Sequence, residues 1–193
     1  MPTNAILTHY MPTGIGPDTA AAEHQPPGIQ GAIRLAQADH ARFTPDITAR
    51  IQQAAAPHNL PSALLMAIAS RESHAGQLLD AQGYGDSGHA FGWCQTDQRS
   101  HAPAGQPDPA SQGHWDQTAS ILTENLTRIT RKHPDWPPSR QLQGAIAAYN
   151  IGIGNIDTLD HMDSGTTHND YSNDVWTRAL HYAGLIHALD TSN

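Results

Sequence analysis

Glu72, Asp86 and Asp97 are three of the four carboxylates that fall between positions 72 and 97 of the 193-residue sequence. Glu72 sits in 66-MAIASRESHAG-76, at the end of an apolar helical run. Leu64, Ile68 and Glu72 recur at i, i+4 and i+8, so they share one helix face. The spacing predicts a carboxyl group aimed where two apolar side chains point, toward the interior. Taking a carboxyl partly out of water disfavours its charged form and lets it donate a proton near neutrality. Breaking a glycosidic bond needs such a donor for the leaving oxygen, and a second carboxylate beside it. A plainer reading is a helix-end glutamate paired with Arg71 or with a neighbouring helix.

Asp86 and Asp97 are the candidates for the second carboxylate, and each has its own plain reading. Asp86 lies in a Gly-Asp-Ser-Gly turn, where Asp is favoured for turn chemistry alone. Asp97 precedes Gln98-Arg99 and would serve as a cap or as an ion-pair partner of Arg99. Three acids framed by glycines, which let a sugar approach the backbone, favour a site over three separate coincidences.

These groups need elements to hold them. Residues 1–38 read as a partly irregular Pro/Gly-rich tail, carrying Pro2, Pro12, Pro17, Pro26 and Pro27, with a weak helical signal around 32–41. From Thr44-Pro45-Asp46 onward the pattern is helical, Pro45 standing at a first helical position. A second start at Leu60-Pro61-Ser62 leads into the stripe that ends at Glu72. The stretch 83-GYGDSGHAFGWCQTD-97 alternates through Phe91, Trp93, Gln95 and Asp97, as a short irregular strand region would. After a Pro-rich loop at 101–110, a long helix is expected from about Trp115 to Lys132, stopped by Pro134. A further helix opens near Ser139 and carries Leu142, Ile146 and Tyr149. The last carries Val175, Ala179, Tyr182 and Ile186. The fold class expected is α+β, mainly α-helical, with a small sheet inserted early.

Composition excludes several roles. The formal charge is −8 with neutral histidines, the opposite of a nucleic-acid binder's basic stripe. No apolar run approaches 18 residues, so no membrane span is expected. The start MPTNAILTHYMPTG lacks a basic n-region, so no signal peptide is expected. One cysteine, Cys94, rules out an internal disulfide framework. Thirteen histidines invite a metal reading, but pairs such as His161/His168 and His181/His187 fit no ligand spacing; neither metal nor cofactor is expected.

The stretches SRESHAG (70–76), GYGD (83–86), FGWCQTDQRSH (91–101), AAYNIGIGN (147–155) and MDSGTTHNDYSNDV (162–175) resemble goose-type lysozymes, muramidases of the lysozyme superfamily. The resemblance covers about residues 44–186, so the expected division is a tail at 1–38 and a catalytic domain at 39–193. It implies a lysozyme-like fold with the small antiparallel sheet beside the cleft. It also implies hydrolysis of the β-1,4 bond between N-acetylmuramic acid and N-acetylglucosamine in peptidoglycan, with inversion. By motif match Glu72 takes the general-acid place, while Asp86 and Asp97 match the acids that orient and activate water. An inverting pair leaves room for that water, about 6.5–9.5 Å between carboxyls. Gln95, His101, Tyr149, Asn150 and Tyr171 take sugar-binding places. The sequence departs from the family at Trp93-Cys94, where Leu-Met is usual, in lacking the vertebrate N-terminal cysteines, and in being acidic.

Two other functions compete. A lytic transglycosylase shares the Glu, Gln and Ala-Tyr-Asn motifs but uses no water and generally lacks the Asp pair. A non-catalytic glycan-binding module would not need all three carboxylates. The missing disulfides and signal point to synthesis in a reducing cytosol and to delivery by a secretion machine or a phage, acting in the periplasm or on the cell wall. An effector of that kind would be a monomer when free, held in check by an immunity protein plugging the cleft.

Overall fold

Proline, threonine and serine side chains decide where the helices begin in the computed structural model, which describes residues 4–186. Pro17 opens α1 (Pro17–Ala22), and α2 (Ile29–Asp39) follows. Thr44 caps α3 (Pro45–Ala55), its Oγ1 accepting from the Ile47 N–H at 3.4 Å. After α4 (Ser62–Ser73), Ser111 caps α5 (Gln112–Lys132) by accepting from His114 N–H at 3.2 Å. The cap sets the start of α5 slightly earlier than the apolar pattern suggested. Pro138 opens α6 (Pro138–Ile151), and α7 (Tyr171–Tyr182) closes the order. Ile186, expected on that last helix, lies beyond its end but still packs on the core. Of the expected 39–193 domain, residues 187–193 lie outside the described residues, and with them His187.

Helix α4 forms the centre. Every residue from Ala63 to Ser70 is buried, so the helix is enclosed all round rather than along one stripe. It packs chiefly on α7 and also on α2, α3 and α5. Leu64, Leu65 and Ile68 are fully enclosed, and each contributes about 1.5–3 kcal/mol by leaving water. The shared face of Leu64, Ile68 and Glu72 therefore says less than expected. Glu72 escapes full enclosure because it belongs to the last turn.

Residues 4–38 depart from the expected tail. Leu7, Ala32, Ile33 and Ala36 are buried. Trp176 Nε1 donates to Leu7 O at 3.0 Å, and Tyr182 Oη donates to Ala36 O at 3.0 Å. Helix α2 runs across the expected boundary and packs on α7. Many prolines and glycines here shape connections between short helices; they do not prevent packing.

The sheet is antiparallel, in the order β1 (Tyr84–Gly85), β2 (Ala90–Phe91), β3 (Thr96–Asp97). The alternation through Phe91, Trp93, Gln95 and Asp97 is not one strand. The chain turns between β2 and β3, with Phe91 paired to Thr96 and Ala90 to Asp97. Gly92 and Gln95 take positive φ at that turn, +79° and +50°. Trp93 and Cys94 drop from it into the core.

Candidate active site

A cleft of about 830 Å³ runs between this hairpin region and α5 and α6. Glu72 lines it from the last turn of α4. Asp86, Gln95 and Asp97 line it from the sheet and its turns, His101 from the following loop, and Tyr149 and Asn150 from the end of α6. Seven of the eight residues singled out in the sequence thus line one cavity.

Tyr171 is the exception. It is the first residue of α7 and is only 1% exposed, so it stands behind the wall. Its hydroxyl donates to Glu72 Oε1 at 2.5 Å. The expected sugar contact is instead a support for the glutamate. Burial pushes the Glu72 carboxyl up to about 7; the Tyr171 hydrogen bond and the charge of Arg71 pull the other way. Glu72 therefore keeps its proton near neutrality while facing the cleft.

Of the plain reading, the pair between Glu72 and Arg71 does not form, while a bond to a neighbouring helix does, through Tyr171 of α7. Arg71 donates to Asp174 at 2.7 Å, to Asp170 at 3.1 Å, to Thr19 Oγ1 at 3.2 Å and to Thr167 O at 3.1 Å. Asp174 in turn holds Arg178 through two bonds, at 2.8 and 2.9 Å, and Arg178 donates to Ser70 Oγ at 2.8 Å. Ser70 donates to Asp39 at 2.6 Å. Burial alone would raise the Asp174 carboxyl, yet the guanidiniums of Arg178 and Arg71 hold it below the usual carboxylate range. This network ties α4 to α7, to α2 and to α1 directly behind Glu72. Sequence reasoning missed it. Its signal was Asp170, Asp174 and Arg178, a charged row at i, i+4 and i+8 running from the N-cap of α7 along one helix face.

The opposite wall is open to water. Arg99 joins its two acids, meeting Asp97 Oδ1 at 2.9 Å and Asp86 Oδ2 at 3.6 Å. The hydrogen bond from Arg99 holds the Asp97 carboxyl below its ordinary range, so it stays ionised. The pairing that offered a plain explanation of Asp97 is thus present, and it coexists with a place in the cleft. Asp86 sits at φ +46°, a left-handed conformation that Asp tolerates better than most residues. Gly85 admits the Gln95 amide, since a Cβ there would lie 2.2 Å from Gln95 Oε1. That glycine makes room for a protein side chain as well as for any sugar.

Two further polar groups are committed within the protein. Tyr149 Oη donates to Cys94 O at 2.8 Å, which leaves its ring to face the cleft. Asn150 Oδ1 accepts from Thr167 N–H at 2.9 Å, and its Nδ2 donates to Thr167 Oγ1 at 3.2 Å. Cys94 is enclosed and burial pushes its thiol up, so it is no nucleophile.

A mainly helical body with a small three-stranded antiparallel sheet, and acids on two sides of one long cleft, defines a lysozyme-like protein. The Lysozyme g family model matches residues 7–184, and the chain belongs to that family. The match takes in Leu7 and the segment packed on α7, beyond the 44–186 that motifs alone marked out. The chain is 48% identical over 120 residues to Lysozyme g of Casuarius casuarius, covering 62% of this chain and 63% of that protein. It is 37% identical over 165 residues to Lysozyme g of Epinephelus coioides, covering 80% of this chain and 83% of that one. A glycine, glutamate and proline-rich protein of Lottia gigantea is 37% identical over 178 residues, 88% of this chain but 42% of its own length. The chain thus spans under two thirds of the first and third of these relatives.

Proposed function

We propose that this cleft hydrolyses the β-1,4 bond between N-acetylmuramic acid and N-acetylglucosamine in peptidoglycan by an inverting acid/base mechanism. The observation that carries the reading is the asymmetry of the two walls. Glu72 is a half-buried carboxyl with a pKa near 7 held by the Tyr171 hydroxyl, and it shares a cleft with Asp97, an ionised carboxylate open to solvent. A protonated acid on one side gives its proton to the leaving oxygen. An ionised base on the other side takes a proton from water, which attacks the opposite face of the sugar ring. Asp86, joined to Asp97 through Arg99, helps to orient that water. Gln95, His101, Tyr149 and Asn150 line the same cleft and receive the sugar's hydroxyl and N-acetyl groups.

The deciding experiment is reducing-end analysis of purified peptidoglycan treated with wild type and with Glu72→Gln. The amide keeps an acceptor for Tyr171 but has no proton to give. Wild type is expected to release reducing ends, and the variant is expected to release none. Turnover by Glu72→Gln at the wild-type rate would remove Glu72 from the chemistry. Anhydro-muropeptides as the main wild-type product would replace hydrolysis with transglycosylation.

Delivery belongs to the same reading. The single cysteine is buried and free, as suits synthesis in a reducing cytosol, with the cell wall reached by a secretion machine or by phage lysis. The partner that fits is an immunity protein plugging the cleft. Copurification with the product of a neighbouring reading frame would support it, and toxicity on cytoplasmic expression would count against it.

A further inference from the structure

Behind the exposed hairpin, the turn between β2 and β3 is buried, and other elements grip its main chain. Trp93 N–H donates to Pro109 O at 3.0 Å, in the loop before α5. Trp93 O accepts from Ser73 Oγ at 2.7 Å, on the last residue of α4. Cys94 N–H donates to His114 Nε2 at 3.0 Å, in the first turn of α5. Cys94 O accepts from Tyr149 Oη, near the end of α6. Each polar main-chain group of these two residues thus goes to a different element. A short path also runs from acid to base. It leads from Glu72 to Ser73 along the chain, across one hydrogen bond to Trp93, and on through β3 to Asp97.

Buried turns need their polar groups paired for stability alone, which would account for any acceptor at position 114. It does not account for the ring that stands there. His114 is fully enclosed. Its Nε2 accepts from Cys94, so its proton is on Nδ1, and Nδ1 has no hydrogen-bond partner among the described residues. A buried N–H left unpaired is costly, and it marks a side chain needed for something else. What this ring supplies is a bare nitrogen on a rigid mount. It lies against the Gly92 main chain, where a Cβ would come within 2.4 Å of His114 Cε1. It meets Phe91 edge on, with ring centres 5.9 Å apart, and Trp115 at 5.8 Å. Burial lowers the imidazole to about 4, against the charge of Asp108, so the ring stays neutral and Nε2 bare. Ser73 is enclosed too, and its oxygen also accepts from Gly76 N–H at 2.9 Å, which holds its rotamer.

We propose that His114 and Ser73 are positioning residues: through the Trp93–Cys94 turn they set where Asp97 stands relative to Glu72. The inference rests on the acid/base reading above and adds which buried groups hold the base to the acid.

The test is kinetic, on purified peptidoglycan strands. His114→Phe keeps a ring and removes the acceptor; Ser73→Ala deletes only one oxygen and carries the same comparison should the ring variant not fold. Each is expected to lower kcat about ten- to hundredfold, the scale of a misplacement near 1 Å, with KM changed less than about threefold. His114→Gln, whose Oε1 can accept from Cys94, is expected to recover to within about fivefold of wild type. In an Asp97→Asn background either substitution is expected to cost less than about twofold more, because the base it positions is gone. An undiminished cost in that background assigns the pair to general stability and overturns the proposal. So does a loss carried in KM alone, or an unchanged kcat in both single variants. Amide exchange reads the pin without turnover. Cys94 N–H is expected to exchange at least about tenfold faster in His114→Phe, with the α4 amides unchanged and protection regained in His114→Gln. No turnover by wild type, with exchange following position 114 in this way, sinks hydrolysis and keeps the pin. Exchange at Cys94 that ignores position 114 overturns it.

Discussion

On the α4–α7 side of the cleft, Glu72 is held by the Tyr171 hydroxyl and backed by Arg71, Asp170, Asp174 and Arg178, which pair with one another almost sealed from water. On the hairpin side, Asp97 ends a two-residue strand and Asp86 sits in the turn after another, and the arginine that joins them is 64% exposed. On the mechanism proposed above, the difference follows from opposite needs. A general acid must lose water for its pKa to rise, and a carboxyl loses water only where the surrounding polar groups are satisfied by one another. A base that activates water must remain wet and ionised. The dense network behind Glu72 and the sparse hairpin around Asp97 thus raise one carboxyl to about 7 and hold the other below the usual carboxylate range.

If that contrast is right, the two sides should fail in different ways. Asp97→Asn is expected to cut the rate of peptidoglycan hydrolysis by about 10²–10⁴, the usual range for a lost general base, with the melting temperature near wild type. A large loss of stability would mean that the hairpin carries structure as the other wall does. Asp174→Asn is expected to cost about 3–5 kcal/mol in denaturant unfolding, because two guanidiniums stay buried without their shared carboxylate. Stability within error of wild type would show that water reaches the network, and the dry wall would then explain nothing about Glu72.

The same contrast explains what the sequence made legible. Glu72, Asp86 and Asp97 were readable because each stands in a short local signature: a helix end, a Gly-Asp turn, a strand end. Helix starts at Thr44-Pro45 and at Pro138 were readable from their caps and prolines. The network was not readable, because Asp39, Arg71 and Arg178 meet only when α2, α4 and α7 pack. The same holds for the N-terminal segment. Its prolines and glycines look like a tail until α7 supplies a surface for Leu7 and Ala36. Tyr171 was found by motif, yet whether its ring lines the groove or stands behind Glu72 depends on how α7 meets α4. The strand region at 83–97 was legible but its turn was not: alternation of two also arises when a turn drops Trp93 and Cys94 into the core.

Smaller effects concern the pH profile. Glu72 must be protonated and Asp97 ionised, so activity should fall as pH rises through about 7 and again as it drops through the depressed range of Asp97. Tyr171→Phe removes a hydrogen bond that favours the Glu72 carboxylate, so the alkaline limb should move to higher pH. A shift of roughly one unit corresponds to about 1.5 kcal/mol, the scale of one hydrogen bond to a charged group. A limb that stays fixed would separate Tyr171 from the acid. Arg99→Gln works on the other wall and in the other limb. Without the Arg99 hydrogen bond and charge, Asp97 should return toward the ordinary carboxylate range, and the acid limb should climb with it. The melting temperature should hardly change, since Arg99 is exposed. If Arg99→Gln moved the alkaline limb instead, the two walls would not titrate independently. Glu72 would then answer to the hairpin as well as to the network behind it.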